Sequence, residues 1–265
     1  LKKQIIWSIL CLQQTFFTKF VSMKRAIIIG ASSGLGRRIA LILLHQGWQV
    51  GIAARRLEAL EEVRNTCPER VTTARIDVTA ADAPERLLEL ADRMGGMELY
   101  FHVSGIGKQN IRLDADIEAD TVETNALGFT RMVGAAFNYL ATHGGGHIAV
   151  ISSIAGTKGL GPAPSYSATK AFQSTYIQAL EQLANSRRLP ISFTDIRPGF
   201  VDTPLLAGSR YPMLLDAGKA AREIVRALNS HRHVWIVDWK YRILTFCWRR
   251  MPNCVWRRLR LVKTE

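Results

Sequence analysis

Cysteine is scarce in this 265-residue chain: Cys11, Cys67, Cys247 and Cys254 are scattered, with no two-residue pairing and no histidines at metal-ligand spacing. That argues against a metal site or a disulfide scaffold and suits a reducing compartment such as the cytoplasm. Internal repeats and low-complexity linkers are absent from the sequence, so neither a solenoid nor a tethered array is expected. Acidic residues are missing from the first 25 positions, which carry five basic side chains, while residues 231–265 set nine Lys or Arg against Asp238 and Glu265. Removing the +5 and +7 of these ends from the formal +13 leaves +1 for residues 26–230, too little for a polycationic binder of nucleic acid. The opening LKKQIIWSILCLQQTFF is broken at Gln13-Gln14 and leads to no small-residue cleavage site. Residues 1–22 are therefore expected to be an N-terminal extension ahead of a domain starting at Met23, rather than an export signal or a membrane anchor.

What is present is globular: 48% of residues are apolar and 22% charged. Apolar runs alternate with helical periodicity from Lys24 onward. The strand candidates are 26–30, 48–54, 70–76, 98–104, 146–152, 191–197 and 233–238. Helical stretches fall near 35–46, 56–65, 83–94, 115–141, 164–186 and 218–229, with Gly47, Gly95-Gly96 and Gly144-Gly145-Gly146 at their ends. This alternation predicts one α/β domain over 23–238, a Rossmann-like doubly wound parallel sheet of about seven strands with helices on both faces.

Directly after the first strand comes GASSGLGRRIALILL, with Gly30, Gly34 and Gly36 in the turn and an amphipathic helix beyond. Between a buried strand and a helix, such glycines give a tight turn, close backbone approach to a pyrophosphate, and a helix N-terminus aimed at the anion. A strand-to-helix turn with no ligand is the plain alternative. At the end of the second strand, where NAD-preferring folds place an acid against the adenosine ribose, the sequence has Ala54, then Arg55 and Arg56. Guanidinium groups fork onto phosphate oxygens, which points to NADP(H) over NAD(H); a solvated helix start is the other account of the pair. Asp77-Val78 after the third strand either edges an adenine ring or caps the next loop.

Residues 147–170 read HIAVISSIAGTKGLGPAPSYSATK, placing Ser153 at a strand end and Tyr166 and Lys170 one helical turn apart. A free phenol titrates near ~10, and a neighbouring ammonium stabilises the phenolate and lowers that value. Tyr166 then protonates an oxygen as hydride reaches carbon, or takes the proton in the reverse direction, with Ser153 holding the same oxygen. The isolated pair describes any amphipathic helix face. Its weight comes from following a glycine loop and a strand-end serine, all on the strand C-terminal side where doubly wound folds bind ligands.

With these residues in order, the chain resembles the short-chain dehydrogenase/reductase family over residues 24 to about 238. The resemblance aligns the family's glycine-rich segment with Gly30-Ala31-Ser32-Ser33-Gly34-Leu35-Gly36. It implies catalytic roles for Asn125, in ETNALGF, and for Ser153, Tyr166 and Lys170. Ser153 is preferred to Ser152 because its thirteen-residue gap to Tyr166 matches the family. By the same resemblance Asn125 holds a water that links Lys170 to solvent, and Lys170 binds nicotinamide-ribose hydroxyls. Ser104-Gly105 approaches the cofactor, and Pro198-Gly199 with Thr203 forms the nicotinamide-side segment. A homodimer or homotetramer is implied as well. Two positions depart from the family pattern: Ile29 replaces a threonine, and HVSGIG (102–107) replaces an Asn-Ala-Gly run, which puts local sheet support and loop geometry in doubt.

The segment 202–219 stands where the family builds its substrate lid and offers Leu205, Leu206, Tyr211, Met213, Leu214 and Leu215 without a charged cluster, so a lipophilic carbonyl or alcohol is expected. Beyond it lies a basic tail, 239–265. Trp239, Ile243, Phe246 and Cys247 share one helical face, and after Pro252 so do Val255, Trp256 and Leu259, between arginines. An interfacial helix on anionic lipid, or packing on a partner subunit, accounts for this pattern. Three rivals to a redox enzyme stand: a non-catalytic dinucleotide-binding regulator, an epimerase or dehydratase using the same tyrosine and lysine, and an adaptor built on the basic ends. Deleting 239–265 is expected to leave an enzyme soluble and active.

Overall fold

The computed structural model describes residues 24–206 and 213–259. The expected extension 1–22, the lid residue Tyr211 and the last six residues of the tail lie outside the described residues, as does the side chain of Leu205.

Seven strands form one parallel sheet: β1 Arg25–Ile29, β2 Gln49–Ala54, β3 Val71–Arg75, β4 Leu99–His102, β5 Gly146–Ile151, β6 Ile191–Arg197 and β7 Val234–Ile236. Their order is β3-β2-β1-β4-β5-β6-β7. The interior strands read as near-continuous apolar runs because both faces are covered. Ile28, for instance, sits level with Ile52 on β2 and Phe101 on β4, and all three are fully buried.

Helices α1 Gly34–His45, α2 Glu58–Arg64 and α7 Ala217–Asn229 supply one face. Their Ile39, Leu43, Leu60, Val63, Ile224 and Leu228 meet Ile28, Ile52 and Phe101. Helices α3 Ala83–Arg93, α5 Phe129–Thr142 and α6 Pro164–Ser186 cover the other, where Leu87, Leu90, Met132, Phe137 and Ile177 meet Ile27, Tyr100, Ile148 and Phe193. Helix α4 Ala115–Val122 leads into α5 through a π-helical turn, Glu123–Gly128.

The chain runs outward from β1 through β2 to β3, then returns to the far side of β1 as β4. At that reversal the connections leave in opposite directions and open a crevice beyond the carboxyl ends of the strands. The described residues of the tail, 239–259, pack against this domain. They form α8 Trp239–Arg250 and α9 Asn253–Trp256, opened by Asp238, whose carboxylate accepts the Lys240 N–H at 2.8 Å.

Candidate active site

The turn after β1 lies in the crevice. Gly30 has φ +94°, and a Cβ there would sit 2.6 Å from the Ser104 nitrogen, so only glycine lets this turn close on the end of β4. A Cβ at Gly36 would strike the Gly30 carbonyl. Ser33 precedes α1 in extended conformation with no side-chain cap, and no acid occupies the first turn. The helix therefore opens with donor groups that suit an anion. Leu35 follows in that turn, and Thr203 packs 3.5 Å from where a Gly34 Cβ would be. Arg55 and Arg56 are exposed after β2, and Arg56 reaches back to donate to Ser32 Oγ at 3.2 Å. This cradle, with its excluded Cβ positions and forked cations, fits a dinucleotide phosphate.

Asp77 is occupied locally, accepting from the Thr79 N–H at 3.1 Å and the Thr79 hydroxyl at 2.9 Å, which is the loop-capping arrangement. Val78 is buried under the π turn, its carbonyl 2.6 Å from where a Gly128 Cβ would lie.

On the far side of the crevice, the two serines separate cleanly. Ser152 is buried and donates to the Asp195 carboxylate, which Arg197 also holds through Nε at 2.8 Å. Ser153 accepts from the Ala155 N–H at 3.1 Å, and its own proton meets the Pro198 carbonyl only at 3.5 Å, a contact weak enough to yield to a better acceptor.

Tyr166 is half-buried at the start of α6, and the Lys170 ammonium lies 5.7 Å from its ring centroid. A Cβ at Gly107 would meet that ring at 2.5 Å, so the loop after β4 presses on the tyrosine. A Cβ at Gly105 would come within 3.2 Å of Asn125 Oδ1 and 3.5 Å of Lys170 Nζ. Tyr166, Lys170, Asn125 and Gly105 are thus brought together.

Lys170 is almost fully buried, and burial pushes its pKa down to about 8, with Asp195 opposing the shift. It remains a cation at neutral pH. Nζ donates to the Ile151 carbonyl and to Gln173 Oε1, both at 2.9 Å. Asn125 is fully buried in the π turn. Its amide accepts from the Ile106 N–H at 2.9 Å and donates to the Ile106 carbonyl at 2.7 Å. That pair of bonds fixes the loop left in doubt by HVSGIG. His102 itself is buried, with Nδ1 2.8 Å from the Tyr100 hydroxyl, and burial lowers its pKa to about 3.

Two residues escaped the sequence reading. Gln173 donates from Nε2 to the backbone carbonyl of Asn125 at 2.9 Å, on the residue to which the resemblance assigns a water. The signal was a polar residue on the buried stripe of α6, one turn past Lys170. Tyr241 of α8 fills the space beside Gly199, and its hydroxyl donates to the Met213 carbonyl at 2.9 Å and accepts from the Phe200 N–H at 3.1 Å.

The tail also holds the loop beyond Ser153. Trp256 Nε1 donates to the Gly159 carbonyl at 2.7 Å, and Lys158 donates to the Met251 carbonyl at 3.1 Å and to Asn253 Oδ1 at 2.6 Å. Trp256 is buried, so it leaves the outward face on which its spacing with Val255 and Leu259 had set it. A cleft of about 470 Å³ lies between the loop Lys158–Gly161 and Ser167, Ala168 and Ala171 of α6; Ser153, Tyr166 and Lys170 do not line it. Among the described residues no group of acids, histidines or cysteines is arranged for a metal, and no helix is long and apolar enough to cross a membrane.

Comparison with known proteins gives a consistent result. A family model described as short chain dehydrogenase matches residues 24–212. An uncharacterized oxidoreductase of Myxococcus xanthus is 32% identical over 241 residues, covering 88% of this chain and 94% of its own. Among solved structures, a short chain dehydrogenase from Burkholderia cenocepacia in complex with NADP superposes with a TM-score of 0.78 at 22% identity, over 91% of this chain and 98% of that one. A 3-ketoacyl-(acyl-carrier-protein) reductase from Brucella melitensis complexed with NADH gives 0.73 at 21% identity, over 82% and 96%.

Proposed function

The chain belongs to the short-chain dehydrogenase/reductase family of oxidoreductases, and from that membership we propose that it interconverts a carbonyl and an alcohol with NADP(H), on a lipophilic substrate. The observation that carries this reading is the meeting of Tyr166, Lys170, Asn125 and Gly105 in the crevice. When bound, the nicotinamide supplies or accepts the hydride. Gly30, Ser32, Ser33, Gly34, Leu35 and Gly36 would hold its pyrophosphate side, and Arg55 and Arg56 the 2′-phosphate. Ser104, Gly105, Lys170, Pro198, Gly199 and Thr203 would hold the nicotinamide side.

Tyr166 gives its phenolic proton to the substrate oxygen in reduction and recovers it in oxidation. The Lys170 ammonium favours the phenolate form, and Ser153 turns its loosely held proton to the same oxygen. Met213 and Leu214 are exposed beside the loop that Tyr241 braces, and they supply an apolar wall. The test is a carbonyl and alcohol panel followed by nicotinamide absorbance, run beside Tyr166→Phe. The variant is expected to keep its affinity for NADP(H) and lose at least ~100-fold in turnover. Net conversion without a net absorbance change would favour an epimerase or dehydratase, nucleotide binding with no turnover of any substrate a binding protein, and unchanged turnover in the variant would remove Tyr166 from the chemistry.

We also propose a cytoplasmic homo-oligomer resting on the inner face of a membrane. Trp239, Ile243 and Phe246 form an exposed stripe on α8, and residues 239–259 carry Lys240, Arg242, Arg249, Arg250, Arg257 and Arg258 with no acid. Anionic lipid complements that face. A two-fold contact through it would set like charges together, so self-association is assigned to the exposed Phe172 and Leu183 on α6 instead.

A further inference from the structure

We infer that Gln173 is a positioning residue for the proton chemistry: its side-chain amide joins Lys170 to the Asn125 carbonyl and so fixes the ammonium beneath Tyr166. This inference rests on the redox reading for its purpose, but on geometry for its content.

Gln173 lies three residues beyond Lys170, and i,i+3 neighbours share a helix face. It is 1% exposed, so its amide has no water to fall back on. Both ends are used. Oε1 accepts from Lys170 Nζ at 2.9 Å, and Nε2 donates to the Asn125 carbonyl at 2.9 Å. A side-chain amide can accept from an ammonium through its oxygen while its nitrogen donates to a carbonyl. The Asn125 carbonyl lies in the π turn that joins α4 to α5. Gln173 therefore satisfies a buried carbonyl and a buried cation at once, and ties the catalytic helix to the segment that pins Ile106.

The other groups facing Lys170 do not duplicate this role. Tyr166 stands on the same helix, and Ile151 of β5 offers a carbonyl. Asp195 of β6 attracts the ammonium, yet its oxygens are taken by Ser152 and Arg197, and Arg249 of α8 faces the same pair. His102 of β4 is held neutral. Without the Gln173 oxygen, the ammonium keeps one fixed acceptor, and its protonated form is less favoured in a site that already penalises charge. A weaker neighbouring cation raises the pKa of the Tyr166 phenol.

Gln173→Met removes both hydrogen bonds at similar volume. Gln173→Asn keeps an amide in the space but is one methylene too short to span it, and it guards against a variant that fails to fold. The Tyr166 phenol is titrated by its ionisation absorbance in the protein without nucleotide, taking Tyr166→Phe as the blank. In both variants the midpoint is expected to rise by about one pH unit, equivalent to roughly tenfold less phenolate at a fixed pH below it. The acid limb of alcohol oxidation is expected to move with it. A folded variant with lower thermal stability but an unmoved midpoint and limb overturns the inference and leaves Gln173 a packing residue. A midpoint that moves in a protein turning over no carbonyl or alcohol would sink the redox reading and leave this inference standing.

Discussion

The ring of Tyr241 occupies the volume into which any side chain at Gly199 would project, and its hydroxyl bridges the Phe200 N–H and the Met213 carbonyl. A residue beyond the 24–212 segment matched by the family model thus backs the loop proposed to face the nicotinamide.

Tyr241→Phe keeps the ring against Gly199 and strands two backbone groups. It is expected to lower stability by about 1–3 kcal/mol and to raise KM for the nucleotide more than it lowers kcat. Tyr241→Ala, which empties the site, is expected to cost about 3–5 kcal/mol. Chemical denaturation and steady-state kinetics check both, and equal nucleotide affinity in all three proteins would remove Tyr241 from the cofactor's support.

Arg55 and Arg56 serve the 2′-phosphate in the proposed reading. The double change to alanine removes charge-assisted hydrogen bonds worth about 1.5–3 kcal/mol each. NADP(H) affinity is then expected to fall at least tenfold while NAD(H) affinity barely moves. Titration of intrinsic fluorescence with each nucleotide decides it; parallel losses would mean the arginines do not discriminate.

His102 and His147 are both depressed to about 3 by burial. Each contributes its full share of stability above the unfolded value near 6.5, and that share drains away as pH falls toward 3, where the unfolded chain binds the extra proton. The unfolding free energy should therefore drop with a slope approaching about 1.4 kcal/mol per pH unit for each histidine. In His102→Asn the slope is expected to shrink by one histidine's worth, and an unchanged slope would mean that His102 is protonated in the fold.

The outward stripe of α8 predicts binding to vesicles containing anionic lipid at low salt, weakening as salt rises and absent with neutral vesicles. Trp239→Ser with Phe246→Ser changes only exposed side chains, so the fold is expected to survive while binding falls severalfold. Sedimentation with vesicles tests this. A wild type that stays in the supernatant, or a double variant that dissociates from dimer to monomer, would assign the face elsewhere.

The sheet was legible because buried parallel strands leave unmistakable marks: AIIIG and GHIAVIS are apolar runs bounded by glycine, and every strand was located within a residue or two of its observed ends. The π turn was not. Residues 115–141 read as one helix, since no proline within them marks the π turn at Glu123–Gly128. Gln173 was hidden for a related reason: periodicity says which face of α6 is buried, but only the three-dimensional approach of the π turn gives a polar residue on that face its partner. In the tail, spacing identified helices but not their orientation. Trp256 turned inward because a carbonyl at Gly159 was available, a contact between residues 97 positions apart.

That strap alters what truncation would do. Removing 239–265 takes away Tyr241 and Trp256, so loss of turnover in such a fragment would not mark the protein as an adaptor. Residues 239–256 are also synthesised after the loops that they brace. The loops at Gly159 and Gly199 consequently acquire their backing only after Tyr241 and Trp256 have been made, and a nascent chain stalled before Trp239 would carry its phosphate cradle without the braces on the opposite wall.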